Sequence, residues 1–329
     1  MDKKSFTRGS EWRKWDLHFH TPSSYDYKDK GVTNQEIIDI LAEKEISVVA
    51  ITDHHTMDID RIQKLQLLGK DKGITVLPGI EFCSELGGSE SIHFIGIFSE
   101  KSDFNTIWTK IQGKHNLTKA DIESKGNERI VCNFVDTCKT IIELGGIISV
   151  HAGSKSNSIE SIKSNLLVKQ ETKTTFLSDY VSILEVGKPE DEKGYQEKVF
   201  PSIRFKLPII ICSDNHDIKN YSLKENCWIK ADPTFEGLKQ IIYEPEERVR
   251  IQEEEPDFKE DKEIIDKIRF ISPTNKFRKE EIHLNPNLNV IIGGKSSGKS
   301  ILLYSIAKTL IPNQDDELLK KGSEERYNL

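Results

Sequence analysis

The sequence predicts an α/β fold in two parts: a long first domain of repeated strand and helix units, arranged as a barrel or a doubly wound sheet, and a short second part. Two observations lead to this prediction. Short apolar runs alternate with amphipathic stretches from the start of the chain to about residue 245, which is typical of parallel strands covered by helices. An acidic stretch containing a proline then breaks the alternation, and a new pattern of strand, glycine loop and helix begins. The predicted boundaries are 1–247 for the first domain, 248–266 for a linker and 267–329 for the second part.

The strands of the first domain are predicted from β-branched apolar runs. Five of these runs are SVVAIT, GITVLPGI, GIISV, YVSILEV and LPIIICS, which begin at residues 47, 73, 146, 180 and 207. Helices are expected between them, because Thr33 and Glu36 form a capping box before IIDIL, and 133–146 has helical periodicity and ends in glycines. Strand and helix units repeated over this length predict the barrel or doubly wound sheet.

Composition restricts the class of protein. With 329 residues and a hydrophobic content of 36%, the chain can fill a sizeable core. No apolar run approaches the ~20 residues that cross a bilayer, and the N-terminus lacks the apolar core of a signal peptide, so we expect a cytoplasmic protein without a membrane partner. The five cysteines include no CxxC pair and are expected to be reduced. The formal net charge of -7 excludes a surface coated in positive charge but not a local basic groove.

Histidines and carboxylates lie at the ends of the predicted strands. In DLHFH, which begins at residue 16, His18 and His20 share one face of a strand. His54 and His151 follow apolar runs, as do Asp214 and His216, and Glu81 ends such a run. In barrels of parallel strands the functional residues collect at the C-terminal ends of the strands, and a buried carboxylate needs a compensating cation. These side chains therefore predict a metal site at one end of the barrel.

The remaining histidines differ in position. His93 begins its apolar run, so it reaches the same end of the barrel only on a strand that runs the other way. His55 is adjacent to His54 and is expected to point elsewhere. His115 and His283 lie in polar stretches and are expected to be exposed. Each histidine alone is also compatible with a satisfied core residue or a helix-end cation, but their shared placement favours metal binding.

The ordered motifs resemble those of the PHP (polymerase and histidinol phosphatase) superfamily. The motifs are HxH with a following Asp, TDHH, GIE, SVHAG and SDNH, and the resemblance spans about residues 14–245. It implies a distorted seven-stranded barrel, (β/α)7, and metal-dependent phosphoesterase activity. The metal ligands that it implies are His18, His20, Asp26, His54, Glu81, His93, His151, Asp214 and His216. Asp26 stands between two tyrosines, where the family often has Ser-Asp-Gly.

Six imidazoles and three carboxylates suit two or three divalent ions, with Glu81 as the bridge. Mixed nitrogen and oxygen ligands favour Zn²⁺, Mn²⁺ or Fe²⁺ over Mg²⁺. Such ions activate water as hydroxide and neutralise the charge that develops on phosphate, so the predicted reaction is hydrolysis of a phosphate ester. The residues expected to carry the catalysis are His18, His20, Glu81 and Asp214. Lys28, Lys30 and Lys155 lie beside the motifs and are expected to be plain surface charges.

A second motif, GGKSSGKS at 293–300, fits the Walker A pattern between the apolar run LNVII and the helical ILLYSIAKTL. Backbone N–H groups would hold the phosphates of ATP, Lys299 would reach the β and γ positions, and Ser300 would ligate Mg²⁺. The predicted ATP-binding residues are Gly293, Gly294, Lys295, Ser296, Ser297, Gly298, Lys299 and Ser300. No strand ending in Asp-Glu and no LSGG signature follows, so we expect ATP binding at most, without hydrolysis.

The segment around this loop resembles the opening of ATPases of the ABC, SMC and RecF kind, and its fusion to a PHP domain resembles the TrlF-like family. The resemblance leaves open that the chain is the front part of a longer protein and that it oligomerises through the ATPase segment. Three functions remain: a nuclease acting on nucleic acid, a phosphomonoesterase for nucleotides or other small phosphates, and a nucleotide-gated binding module with an inactive barrel. The complete ligand set counts against the third, and the fusion favours the first by association.

Overall fold

The computed structural model describes residues 8–85, 91–161, 174–271 and 280–310. The chain forms two compact units, Met1–Phe258 and Lys259–Leu329. The division between them falls inside the predicted linker, 248–266. Of that linker, Val249–Ile251 forms a strand of the first unit.

The first unit is a mixed α/β fold around a single sheet. Its strands are β1 (Glu11–Phe19), β2 (Ile46–Ile51), β3 (Thr75–Glu85), β4 (Ser91–Ile97), β5 (Ile147–Ala152), β6 (Ile183–Val186), β7 (Ile209–Ile210), β8 (Cys227–Ala231) and β9 (Val249–Ile251). They are hydrogen-bonded in the order β7-β6-β5-β4-β3-β2-β1-β8-β9. The edge strands β7 and β9 approach each other, so the sheet nearly closes into a barrel.

The sheet differs from the predicted seven-stranded barrel in strand number and direction. Strands β4 and β8 run antiparallel to both of their neighbours, and the other seven share one direction. The ninth strand arises because β8 pairs with β1 from outside the parallel series and β9 then pairs with β8. The prediction of an α/β barrel is thus confirmed in its coarse form.

Helices cover the outside of the sheet. They are α1 (Asn34–Glu43), α2 (Ile59–Lys72), α3 (Phe104–Lys114), α4 (Lys119–Lys125), α5 (Phe134–Glu143), α6 (Glu190–Gly194), α7 (Phe200–Ile203), α8 (Phe235–Tyr243) and α9 (Pro245–Arg248), with a π turn at Tyr195–Val199. The predicted capping box is confirmed, because the Glu36 backbone N–H donates to Thr33 Oγ1 over 3.2 Å and the Thr33 N–H donates to the Glu36 carboxylate over 2.8 Å.

Side chains on both faces of the sheet are buried, as fully apolar strands predict. Along β2, Val49 and Ile51 belong to one hydrophobic cluster, which includes Ile37 and Leu65 of the covering helices. The alternate residue Val48 belongs to a second cluster, with side chains from strands across the sheet. This packing fixes the strands from both sides and gives the residues at their ends a rigid base.

The second unit contains a strand pair, one α-helix and a 3-10 turn at Asp261–Glu263 within its described residues. The strands and the α-helix are β10 (Lys267–Arg269), antiparallel to β11 (Glu281–His283), and α10 (Lys299–Leu310). The strand predicted for LNVII, 288–292, is wrong, because these residues are not assigned to any strand. A strand requires a neighbour for its backbone hydrogen bonds, and the described residues supply none here. Leu288 and Ile292 are accordingly 76% and 88% exposed.

All five cysteines lie in the described part of the chain and are free thiols. Four are buried and Cys83 is half-buried. Among the described residues, no helix has the length and apolarity to cross a membrane.

Candidate metal centre

The nine predicted ligands meet at one end of the sheet. Their donor atoms form overlapping groups, within each of which all atoms lie within 4.8 Å of one another: His20, Asp26, His54 and His216; His18, His20, Glu81 and Asp214; His18, His151 and Glu185; His54, Glu81 and His93. Strands β1, β3 and β5 carry His18, Glu81 and His151. Because β4 runs in the reverse direction, His93 near its start reaches the same end.

The centre of the cluster has the spacing of a coordination shell. His18 Nε2 and His20 Nε2 lie 3.0 Å apart, and Glu81 Oε2 lies 2.9 and 3.1 Å from them. Asp214 Oδ1 lies 3.3 and 3.5 Å from the same two nitrogens. Ligands at ~2.0–2.1 Å from a tetrahedral ion are themselves about 3.3 Å apart. Two imidazole nitrogens at 3.0 Å need a cation or a proton between them, so these four side chains fit a bound metal ion.

Glu81 faces two sets of histidines with its two carboxylate oxygens. Oε2 faces His18 and His20 and lies 3.4 Å from His54 Nδ1. Oε1 lies 2.6 Å from His93 Nδ1 and 3.6 Å from His151 Nε2. His151 Nε2 is buried and has no hydrogen-bond partner among the described residues, as is expected of a nitrogen that binds an ion. This arrangement fits the bridging position predicted for Glu81.

Asp26 forms the open rim of the cluster together with Asp214 and His216. Asp26 Oδ2 lies 2.9 Å from His216 Nε2 and 3.3 Å from His54 Nε2. The three rim side chains are about a quarter to a third exposed, whereas Glu81 is buried. A polar cavity of about 460 Å³ adjoins this rim, and Lys28 also lines it. The cluster therefore has a closed floor and one side that is accessible to a ligand.

A buried carboxylate anchors the turn that presents Asp214. Asp16 Oδ1 accepts from the Ser213 backbone N–H over 3.1 Å, and Oδ2 accepts from Ser213 Oγ over 2.6 Å and from the Tyr221 hydroxyl over 2.9 Å. Asp214 itself adopts a left-handed φ of 52°, and its N–H donates to the His18 carbonyl over 3.0 Å. The turn is thus tied to β1, which carries His18.

Sequence reasoning missed two charged residues at the site. Glu185 lies on β6, and its carboxylate lies 2.9 Å from His18 Nδ1. Lys155 pairs with Glu185 and, over 3.1 Å, with Asp214 Oδ2. The prediction that Lys155 is a surface charge is wrong, since it is only 6% exposed. Glu185 lies within the apolar run YVSILEV, so the argument applied to Glu81 could have found it, whereas nothing in the polar stretch around Lys155 signals burial.

The other histidines lie outside the cluster. His115 was expected to be exposed, and this prediction is wrong. The end of α3 packs on α5, so His115 is buried, with Nε2 3.0 Å from Thr140 Oγ1 and Nδ1 3.3 Å from Thr137 Oγ1. His55 is buried with a left-handed φ of 54°, and it belongs to none of the ligand groups found in the described chain. His283 was also expected to be exposed, but it is half-buried on β11 of the second unit.

The charges of the cluster change the pKa values of its members. Burial opposes the charged form of His20, but hydrogen bonds to Asp214 and Glu81 outweigh it and raise the pKa to about 9. Burial likewise opposes the charge on His93, but contacts with Cys83 and Glu81 raise its pKa to about 9. Burial favours protonation of Glu81, but the charges of His18 and His54 lower its pKa well below the usual value. At neutral pH His20 and His93 therefore hold protons that an incoming metal ion must replace.

Binding of Zn²⁺ at pH 7 to chelator-treated protein is therefore expected to release protons. The sign follows from pKa values near 9 for His20 and His93, since both are charged at pH 7 and must be neutral to bind an ion. Titration calorimetry in buffers of different ionisation enthalpy measures the number of protons released. A binding enthalpy that is the same in every buffer would contradict this expectation.

The predicted ATP-binding residues lie in the second unit. Residues 293–298 form an exposed loop, and α10 begins at Lys299. Ser296 and Gly298 adopt left-handed φ values of 63° and 88°. Lys299 Nζ donates to the carbonyls of Gly293 and Gly294 over 2.6 and 2.7 Å. The loop thus curls around the lysine in front of the helix.

Comparison with known proteins found similar solved structures only. No family model and no curated protein matches the chain. A two-domain protein of Bacteroides vulgatus that contains a predicted PHP-like metal-dependent phosphoesterase is 14% identical, over 74% of this chain and 65% of that one, with a TM-score of 0.49. This chain therefore spans less than two thirds of that protein's length. A candidate metal-dependent phosphoesterase of Bifidobacterium adolescentis is 16% identical, over 71% and 97% of the two chains, with a TM-score of 0.46. An amidohydrolase of Chromobacterium violaceum, with bound sulfate and no metal, is 14% identical, over 72% and 98%, with a TM-score of 0.43.

Proposed function

We propose that the first unit is a metal-dependent phosphoesterase. The observation that carries this proposal is the shell of four donor atoms from His18, His20, Glu81 and Asp214 at the end of a rigid sheet. Each of the two imidazole nitrogens lies within 3.5 Å of the other three atoms. The three carboxylates and six histidines of the predicted ligand set exceed what one ion requires. The order of the motifs along the chain, which resembles that of the PHP superfamily, agrees with this assignment.

The residues of the site would have distinct roles in hydrolysis. Bound divalent ions would lower the pKa of a water molecule and neutralise negative charge on phosphate. Glu81 would hold two ions in fixed relation, since each of its oxygens faces a different set of histidines. The buried floor, with His18, His20 and His151, keeps bulk water away from one side. The rim at Asp26 and His216 leaves the other side open to the ester.

The rim favours a nucleic acid or nucleotide as the substrate. Tyr25 is 38% exposed, and its ring centroid lies 5.4 Å from that of His54. Exposed aromatic rings beside a phosphate site are suited to stacking on nucleobases, and the exposed Lys28 can face a neighbouring phosphate. We therefore propose a nuclease activity. A phosphomonoesterase for nucleotides is the second candidate, because the same stacking serves a single nucleotide.

A substrate panel distinguishes these activities. The full chain, supplied with Mn²⁺ or Zn²⁺, is assayed on single-stranded DNA, duplex DNA, RNA, mononucleotides and bis(p-nitrophenyl) phosphate. Cleavage of a polymer or of the diester supports the nuclease, and release of phosphate from mononucleotides alone supports the monoesterase. If the chain binds its metal ions but hydrolyses none of these substrates, the phosphoesterase proposal is overturned. The remaining function is then the binding module with an inactive barrel.

We also propose that the loop at 293–300 binds nucleotide phosphates. Its exposed backbone curls in front of the N-terminus of α10, where N–H groups without helical partners favour an anion. Lys299 lies within the curl and supplies a positive charge. Mg²⁺ would accompany ATP at Ser300, at the start of the helix.

Lys299→Ala is expected to leave ester hydrolysis by this chain unchanged and to weaken ATP binding. The loop belongs to the second unit, residues 288–292 directly before it form no strand, and no apolar run ending in Asp-Glu follows it in this sequence. ATP turnover is therefore expected to be negligible even in the unaltered chain. Ester hydrolysis and ATP turnover are measured on the same samples, and binding is measured with a fluorescent ATP analogue. Robust ATP hydrolysis that the substitution removes would show that the second unit is a working ATPase.

A further inference from the structure

We propose that Lys155 and Glu185 are positioning residues for two metal ligands: Glu185 fixes the ring of His18, and Lys155 fixes the carboxylate of Asp214. This inference rests on the proposed metal-dependent function. It gives a role to two buried charges that the predicted ligand set does not include.

The two ring nitrogens of His18 contact different carboxylates. Nδ1 lies 2.9 and 3.1 Å from the two oxygens of Glu185, while Nε2 lies 2.9 Å from Glu81 in the centre of the cluster. A carboxylate beside Nδ1 accepts the proton of that nitrogen and leaves a lone pair on Nε2. Such a partner also fixes the orientation of the ring toward the ion. Glu185 thereby prepares His18 to bind through Nε2.

The two carboxylate oxygens of Asp214 also contact different partners. Lys155 Nζ forms an ion pair with Oδ2 at 3.1 Å, and Oδ1 lies 3.3 Å from His18 Nε2. With one oxygen occupied by the lysine, Asp214 presents a single oxygen to the cluster. Lys155 also donates to Glu185. Its ammonium group therefore contacts both Glu185, which orients His18, and Asp214.

The backbone brings the pair together behind the cluster. Glu185 on β6 lies opposite His151 on β5, and Lys155 lies in the turn that follows β5. A Cβ atom at Gly187 would lie 2.8 Å from the Lys155 backbone nitrogen, so the close approach of this turn to the end of β6 requires glycine. A buried ion pair is often no more stabilising than apolar side chains of similar size. Positioning of ligands accounts for this pair better than stability does.

Titration of chelator-treated full chain with Co²⁺ tests the proposal independently of catalysis. The visible absorption of Co²⁺ reports both affinity and coordination. Lys155→Met and Glu185→Gln are expected to weaken the binding of at least one ion by about 10-fold to 100-fold and to alter its spectrum, and Lys155→Arg is expected to lie between Lys155→Met and the unaltered chain. Lys139→Met, at an exposed lysine of α5, is the matched control and is expected to match the unaltered chain.

The double substitution Lys155→Met with Glu185→Leu separates positioning from folding. It removes both charges of the pair, and Asp214, whose side chain is 28% exposed, keeps its contacts with His18 and His20. Its melting temperature without metal is therefore expected to stay within a few degrees of the original. Its Co²⁺ affinity is nevertheless expected to fall as in the single variants. Co²⁺ binding and spectra identical to those of the unaltered chain would overturn the positioning role alone. Absence of Co²⁺ binding by the unaltered chain would overturn the metal-dependent function as well.

Discussion

Asp214→Asn is expected to lower the rate of phosphate ester hydrolysis by at least about 100-fold, because it weakens a ligand at the centre of the metal cluster. Burial opposes the charge on Asp214, but the charge of His18 and the hydrogen bond to His20 hold its pKa well below the usual range, so the ligand is a carboxylate at neutral pH. Asparagine keeps the shape of the side chain and loses this charge. It also tolerates the left-handed φ of 52° at this position, so the turn is expected to persist.

The rate and the metal content of this variant are measured on the same samples. We expect both to fall while the circular dichroism spectrum stays the same. Asp60→Asn, at an exposed carboxylate near the start of α2, is the control and is expected to keep the full rate. An unchanged rate in Asp214→Asn would place the chemistry at a different site.

Removal of metal ions with a chelator is expected to abolish hydrolysis and to lower the melting temperature. An ion that binds only the folded chain stabilises it, by about 4 kcal/mol when its concentration is 1,000 times its dissociation constant. Readdition of Mn²⁺ or Zn²⁺ is expected to restore both properties. Thermal melts and assays on treated, untreated and reconstituted samples measure the effect. A treated sample that has lost its ions but keeps its rate and melting temperature would contradict the proposal.

The candidate ligands at strand ends could be predicted because position in a strand is a local property of the sequence. Alternation along DLHFH puts His18 and His20 on one face, and an apolar run that ends in Glu81 marks a carboxylate at the edge of the core. The prediction for His93 depended on the direction of its strand, which is a property of the whole sheet. The antiparallel pairing of β3 with β4 supplies that direction.

The features that could not be predicted depend on contacts between distant segments. Lys155 is buried because its turn meets the end of β6 at Gly187, and His115 is buried because α3 packs on α5. Neither packing contact leaves a periodic pattern in the local sequence. The run at 288–292 has the composition of a strand, but it has no pairing partner among the described residues. Composition alone therefore predicted a strand that is not formed.

The number of metal ions bound by the full chain is measured by elemental analysis after purification without chelators. The six histidines and three carboxylates of the predicted ligand set lie in overlapping groups and predict two or three transition-metal ions per chain. The predicted result is therefore at least two equivalents of Zn, Mn or Fe, reached either on isolation or after addition of Mn²⁺ or Zn²⁺ and removal of the excess. Less than one equivalent under both conditions would show that these side chains do not form a metal centre.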